Sequence, residues 1–280
     1  NDMVIHGHTL IWHSQLPEWF FKDSLGNTIS KEGLKERMKK HINTLVSRYK
    51  GKVKSWDVVN EAVLDDGKLR PSKFYEILGD EYLKLAFEWA HEADPDAELY
   101  YNDYSTALPE KRAGIIEMIK NLQEQGVTIH GVGMQGHLGL NHPDINEFEK
   151  SLLAFSDLGL KVAVTELDIT VLPSPQNIQG AEVSENFEYD DAINPYVNGL
   201  TDSIQNAFNT RYIDFFKIFL KHSDKLEKVT FWGVTDGNSW RNNWPVPGRT
   251  DYPLLFDREN RAKPVIDTII KMARDNKYLK

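Results

Sequence analysis

Two glutamates, Glu61 and Glu166, stand where an acidic side chain has little reason to be. Each closes a short apolar run: Glu61 follows Trp56-Asp57-Val58-Val59-Asn60, and Glu166 follows Val162-Ala163-Val164-Thr165. Taking an ionised carboxylate out of water is costly unless it is paired or used. Singly, either glutamate reads equally well as a helix-start or salt-bridge residue. As a pair on one face of a strand–helix fold, they match what cleavage of a glycosidic bond requires. One carboxylic acid protonates the leaving oxygen, and the other carboxylate attacks or assists. The acid must hold its proton near neutral pH while its counterpart stays ionised. Asn60, beside Glu61, is suited to donate a hydrogen bond to a substrate hydroxyl, and His137 to orient Glu166.

The histidines admit another chemistry. His6-Gly7-His8 places two imidazoles on one face of a strand. With His137 and Asp236 they could complete the ligand set of a metal-dependent barrel hydrolase. The plainer alternative is that His6 and His8 hydrogen-bond buried neighbours or a substrate, and a His-x-His spacing alone is a weak metal signature. Trp12, Trp232, Trp240 and Trp244 offer flat faces on which sugar rings stack. For Trp12, core packing fits nearly as well. Trp240 and Trp244 sit in the polar, loop-like stretch 238–245, which favours a binding role.

These residues need elements to carry them. Six short apolar runs, at 3–12, 53–59, 98–101, 131–135, 162–164 and 229–232, read as strands buried on both faces. Helical spacing follows each. Ser30 opens a pattern with Leu34, Met38, Ile42, Leu45 and Val46, and further helices are predicted over 74–93, 109–125, 145–158, 201–222 and 262–276. Strand then helix, repeated, implies parallel strands with right-handed crossovers. In a (β/α)8 barrel the functional residues lie at the C-terminal strand ends, and each predicted strand here ends in polar or aromatic residues. The exception to this regularity is the long irregular segment 173–199. It is expected to flank the substrate site, with Tyr189 or Tyr196 as sugar contacts, or else to be a solvent-facing excursion.

Composition narrows the possibilities. The chain of 280 residues has 40% hydrophobic and 27% charged residues, as in soluble globular proteins. A net charge of −9 and the lack of a basic stripe argue against nucleic acid as a partner. With no cysteine, thiolate catalysis and Cys-ligated zinc are excluded. No apolar run approaches the ~20 residues that span a bilayer, so no membrane partner is expected. No secretory leader is visible before the first apolar run.

At these positions the sequence resembles the family 10 glycoside hydrolases, chiefly endo-β-1,4-xylanases, over essentially its whole length. The segments carrying the resemblance are Gly7-His8-Thr9-Leu10-Ile11-Trp12-His13-Ser14-Gln15, Trp56-Asp57-Val58-Val59-Asn60-Glu61-Ala62, Tyr101-Asn102-Asp103-Tyr104, Gln135-Gly136-His137, Thr165-Glu166-Leu167-Asp168, and Phe231-Trp232-Gly233-Val234-Thr235-Asp236 with Trp240, in the family's order. The resemblance implies Glu61 as acid/base and Glu166 as nucleophile. It implies His8, Trp12, Asn60, Tyr104, Gln135, His137, Trp232 and Trp240 as substrate contacts, and Asp168 as support for the nucleophile. It further implies retention of anomeric configuration, with carboxyl groups ~5–5.5 Å apart, no metal or organic cofactor, and xylan or xylo-oligosaccharides as substrate. A polymeric substrate places the protein outside the cell, at its surface or in a periplasm.

The sequence departs from the family at its start, where two β/α units and a Glu-Asn and Lys-bearing sugar-binding segment have no counterpart. Residues 1–280 are therefore expected to form one catalytic (β/α)8 barrel domain showing six units, the family's third to eighth. An N-terminal segment or a second chain is expected to complete it. Related barrels cleaving cellulose or mannan, and a sugar-binding relative without catalysis, remain as alternatives.

Overall fold

A computed structural model describes residues 2–174 and 187–275. The chain divides into two compact units. The first comprises residues 1–103, 109–133 and 154–161, and the second 104–108, 134–153 and 162–280.

In the first unit the strands are β1 (His6–Gly7), β2 (Ile11–Trp12), β3 (Ser55–Asn60), β4 (Glu98–Asp103) and β5 (Gly131–Met134), the last reaching its boundary. Both β1 and β2 pair in parallel with β3, His6 opposite Ser55 and Trp12 opposite Asn60. Strand β3 runs parallel to β4, with a register shift between Asp57 and Val59. All six residues of β3 are buried, polar Asp57 and Asn60 included. Gly7 is required by packing: a Cβ there would stand 2.2 Å from the Trp56 ring.

Helix α1 (Lys31–Arg48) buries Leu34, Met38, Ile42 and Val46, spaced by one turn. Its amino end is capped by Ser30, whose Oγ accepts from Gly33 N at 3.1 Å. The predicted helix 74–93 is two helices, α2 (Lys73–Leu78) and α3 (Glu81–Ala93). The break falls at Gly79, whose positive φ of 68° is one that residues with a Cβ rarely adopt. Helix α4 (Pro109–Glu124) starts on its proline, as expected.

In the second unit β7 (Lys161–Thr170) runs parallel to β6 (His137–Gly139) and to β8 (Leu226–Phe231). Helices α5 (Ile145–Ser156), α6 (Asp202–Lys221) and α7 (Val265–Arg274) follow the strands. Helix α6 is capped by Thr201, and buries Phe208, Tyr212, Phe215 and Phe219 along one face. No helix among the described residues is long and apolar enough to cross a membrane.

Two strand expectations fail, both where apolarity was read as burial. Met3, Val4 and Ile5 precede the sheet and are exposed. Strand β8 is only partly covered, with Glu227 and Thr230 exposed and Val234 beyond it 70% exposed. Among the described residues its one strand partner is β7, which covers a single edge. In the other direction, the run 162–164 extends to Thr170, because Thr165, Glu166, Asp168 and Thr170 are buried despite their polarity. Residues 175–186 of the long segment, and Asn276 at the end of the last predicted helix, lie outside the described residues. In the described part Tyr189 is exposed and its hydroxyl accepts from Asn194 at 3.0 Å.

Candidate active site

In the first unit Glu61 sits directly after β3, 3% exposed. Both of its carboxylate oxygens are met: Trp12 Nε1 donates to Oε2 at 2.7 Å, and Asn60 Nδ2 donates to Oε1 at 3.1 Å. His13 Nδ1 lies 3.9 Å from Oε2. The amide of Asn60 is fixed in turn, its oxygen accepting from Asn102 Nδ2 at 3.0 Å.

The backbone at Glu61 has φ 59°, a left-handed conformation uncommon for a residue with a Cβ. Its surroundings hold it there. Glu61 N donates to Asn102 O at 2.9 Å, and Arg70 Nε donates to Glu61 O at 2.9 Å. The next two amides, of Ala62 and Val63, both donate to the Tyr101 hydroxyl, at 3.0 and 3.1 Å. That hydroxyl donates to Asp103, which is also paired with fully buried Lys111 at 2.9 Å. Burial raises the Asp103 carboxyl against the pull of Lys111, and burial beside Asp103 lifts the Tyr101 phenol well above its ordinary value.

His8, a predicted substrate contact, is joined to Asp57. His8 Nδ1 lies 2.9 Å from Asp57 Oδ2, and His6 Nε2 lies 2.9 Å from Oδ1. Burial pushes the Asp57 carboxyl up, but the two imidazoles outweigh it and hold it below its usual range. The other member of the His6 ring pair, Nδ1, meets Ser55 Oγ at 2.6 Å. His6 and His8 thus flank one carboxylate, and Asp236, the fourth residue of the metal reading, is paired with Lys263 at 2.9 Å. Among the described residues no group of three or more His, Asp or Glu is arranged to hold a metal.

In the second unit Glu166 and Asp168 share one face of β7, two residues apart. His137, opposite Asp168 on β6, reaches both: Nε2 lies 3.1 Å from Glu166 Oε2 and Nδ1 lies 3.0 Å from Asp168 Oδ2. Glu166 N donates to Gln135 O at 2.7 Å, fixing the end of one strand to the other. Between them Gly136 has φ 82°, and a Cβ there would come within 2.9 Å of Val164. Asp168 also accepts from Trp240 Nε1 at 2.7 Å and from Arg241 Nε and Nη2 at 3.2 and 3.0 Å.

These contacts set the charges. Burial would raise the Asp168 carboxyl, but the Arg241 guanidinium and then His137 and Trp240 hold it at about 2. Burial would lower His137, yet the Asp168 charge and the hydrogen bonds to Asp168 and Glu166 push it up to about 9. His137 is therefore an imidazolium at neutral pH, its Nε2 hydrogen-bonded to Glu166 and its Nδ1 within ion-pair distance of Asp168. Trp240 stacks on Trp244 at 4.7 Å and lies 4.9 Å from His137, while Trp232 is 36% exposed with its ring 6.4 Å away. Tyr104 and Gln135 are buried.

Sequence reasoning named neither Arg241 nor Tyr101 as functional. The available signal was an excess of buried acids, since Asp103 and Asp168 each need a donor that a local scan does not supply.

The family model for Glycosyl hydrolase family 10 matches residues 1–272. Endo-1,4-beta-xylanase A of Xylanibacter ruminicola is 52% identical over 272 residues, covering 97% of this chain and 74% of that protein. The endo-1,4-beta-xylanase of Geobacillus stearothermophilus is 41% identical over 270 residues, covering 96% and 77%. Among solved structures, a GH10 endoxylanase from a sugarcane soil metagenome superposes with a TM-score of 0.93 at 51% identity, covering 96% of this chain and 78% of that one. A mutant solved in complex with xylotriose gives 0.86 at 38% identity, covering 96% and 78%.

Two outcomes are expected from the geometry. Tyr101→Phe strands the Ala62 and Val63 amides in a buried setting and should destabilise by about 1–3 kcal/mol, read from the denaturant midpoint; an unchanged midpoint contradicts the network. His137 has a folded pKa raised from 6.5 to about 9, so its contribution is full below pH 6.5 and fades as pH rises through 9. The stability gap between wild type and His137→Gln should narrow between pH 6 and 10, and a gap constant over that range counts against the charged imidazole.

Proposed function

Because the chain belongs to Glycosyl hydrolase family 10, we infer that it is a retaining endo-β-1,4-xylanase, hydrolysing internal β-1,4-xylosidic bonds of xylan by double displacement. Its fold is the family's (β/α)8 barrel, with six β/α units among the described residues. Residues 1–280 act as one catalytic domain in this reading.

The observation that carries the assignment of roles is the Glu166–His137–Asp168 chain. A nucleophile must present a fixed carboxylate oxygen, and the His137 imidazolium lies 3.1 Å from Glu166 Oε2, which orients it. Glu166 attacks the anomeric carbon to form a glycosyl-enzyme ester, while Glu61 gives its proton to the departing glycosidic oxygen. Glu61, now a carboxylate, takes a proton from water as that water attacks the same carbon, which frees Glu166 and restores both groups. Trp12 and Asn60 orient the two Glu61 oxygens, each of which keeps a lone pair for the transferred proton.

His8, Asn60, Gln135 and Tyr104 supply hydrogen bonds to sugar hydroxyls, and Trp12, Trp232 and Trp240 supply faces, while His137, with both ring nitrogens facing carboxylates, serves the nucleophile. The substrate is xylan or a xylo-oligosaccharide. A polymer does not enter a cell intact, which places the enzyme outside the cell, at its surface or in a periplasm.

Reducing-sugar release from soluble xylan, with cellulose and mannan as controls, tests the reading. Glu166→Ala should abolish turnover while the protein stays folded, and near-normal activity in that variant would sink the assignment. Glu61→Gln should slow substrates with poor leaving groups by orders of magnitude more than activated aryl xylosides, since only the former need the proton. Equal losses on both classes argue against Glu61 as the acid.

A further inference from the structure

Arg241 lies five residues beyond Asp236 in the stretch after β8 and is buried, 5% exposed. Both nitrogens it offers to Asp168, Nε and Nη2, go to the same oxygen, Oδ1. Oδ2 is left to Trp240 Nε1 and His137 Nδ1. Arg241 also packs on the aromatic pair, its guanidinium carbon 4.8 Å from the Trp240 ring centre and 5.5 Å from that of Trp244. The guanidinium is thus bonded at its edge and stacked on its face, a geometry that lysine does not reproduce.

We propose that Arg241 is a positioning residue which, through Asp168, sets the charge shared between His137 and Glu166 and holds Trp240 against that carboxylate. The part concerning the reaction rests on Glu166 being the nucleophile. The charge count shows why it is needed. Glu166 and Asp168 are two acids flanking one imidazole. Without a second cation, Asp168 meets His137 alone and binds its proton more tightly, and the positive field favouring the Glu166 carboxylate is smaller. Arg241 occupies Oδ1, balances the second acid, and leaves His137 to be shared between both carboxylates.

Other titratable groups face this cluster from neighbouring elements. His142, after β6, is pushed down to about 4 by burial and by Arg241 and Arg211, so it is neutral and adds no charge. Asp251 and Arg249 both feel the charge of Arg241, and Tyr212 on α6 feels that of Asp168. Asp236 is compensated by Lys263. Among the described residues, the cation that touches Asp168 besides His137 is Arg241.

The test uses the full chain in three forms: wild type, Arg241→Gln and Arg241→Lys. The His137 ring is titrated by NMR, and kcat/KM on an aryl β-xylobioside is followed against pH. Arg241→Gln should raise the His137 midpoint by about one pH unit, move the acid limb of kcat/KM upward and lower its plateau by about tenfold. Arg241→Lys keeps the charge and should return the midpoint and the acid limb towards wild type. If Arg241→Gln does not fold, Arg241→Met, which keeps apolar bulk on the two indoles, is titrated in its place. A His137 midpoint unmoved in the uncharged variants, or moved equally by Lys, overturns the proposal. A moved midpoint with an unmoved acid limb upholds the hold of Arg241 on His137 and overturns Glu166 as nucleophile instead.

Discussion

A carboxylate drawn out of water must be met by donors, or it takes up a proton and loses its charge. That constraint orders the strand ends of this protein. Asp57, Glu61, Asp103, Glu166 and Asp168 are all buried, and each is met by side chains drawn from another part of the sequence. The donors differ, and so do the consequences. Asp57 is flanked by two imidazoles and Asp168 by an imidazole and a guanidinium, and both are held below the ordinary carboxylate range. Asp103 meets the Lys111 ammonium and the Tyr101 phenol, and burial prevails. Glu61 accepts from the neutral donors Trp12 and Asn60, and His13 lies 3.9 Å from Oε2.

Positioning these groups takes much of the local backbone chemistry. The left-handed turn at Glu61 persists because hydrogen bonds at the amide and carbonyl of Glu61 and at the next two amides tie it to Asn102, Arg70 and Tyr101. Left-handed Gly136 lets the chain turn between Gln135, whose carbonyl fixes Glu166, and His137, whose ring reaches it. In both places a buried carboxylate is held by hydrogen bonds from other parts of the chain.

Much of this was legible in the sequence. An acid ending an apolar run is conspicuous, which is why Glu61 and Glu166 stood out, and a repeated strand–helix order is a long-range pattern that survives local error. Burial was less legible, because it depends on neighbours. Val229 and Phe231 are as apolar as Val162 and Val164, yet β8 is partly exposed while β7 is covered. The break at Gly79 is not marked by periodicity, since a single glycine in a helical pattern does not by itself end a helix. His6-Gly7-His8 leaves a metal reading open beside hydrogen bonding to buried neighbours, and the partner that decides it, Asp57, lies 51 and 49 residues further along the chain. Arg241 stood beside a tryptophan in a polar loop, and nothing local tied it to an acid 73 residues earlier. Pairings across such separations are set by strand register, which periodicity does not encode.

The central claim is that the two buried glutamates divide a double displacement between them, one forming and releasing a glycosyl ester and the other moving the proton. The anomer released first reports on this directly. Proton NMR of xylohexaose hydrolysis, followed from the first minutes before mutarotation, should show the β-anomer of the new reducing end rising ahead of the α-anomer. If the α-anomer appears first, water attacks the sugar in a single displacement, Glu166 forms no ester, and the account of this site is wrong.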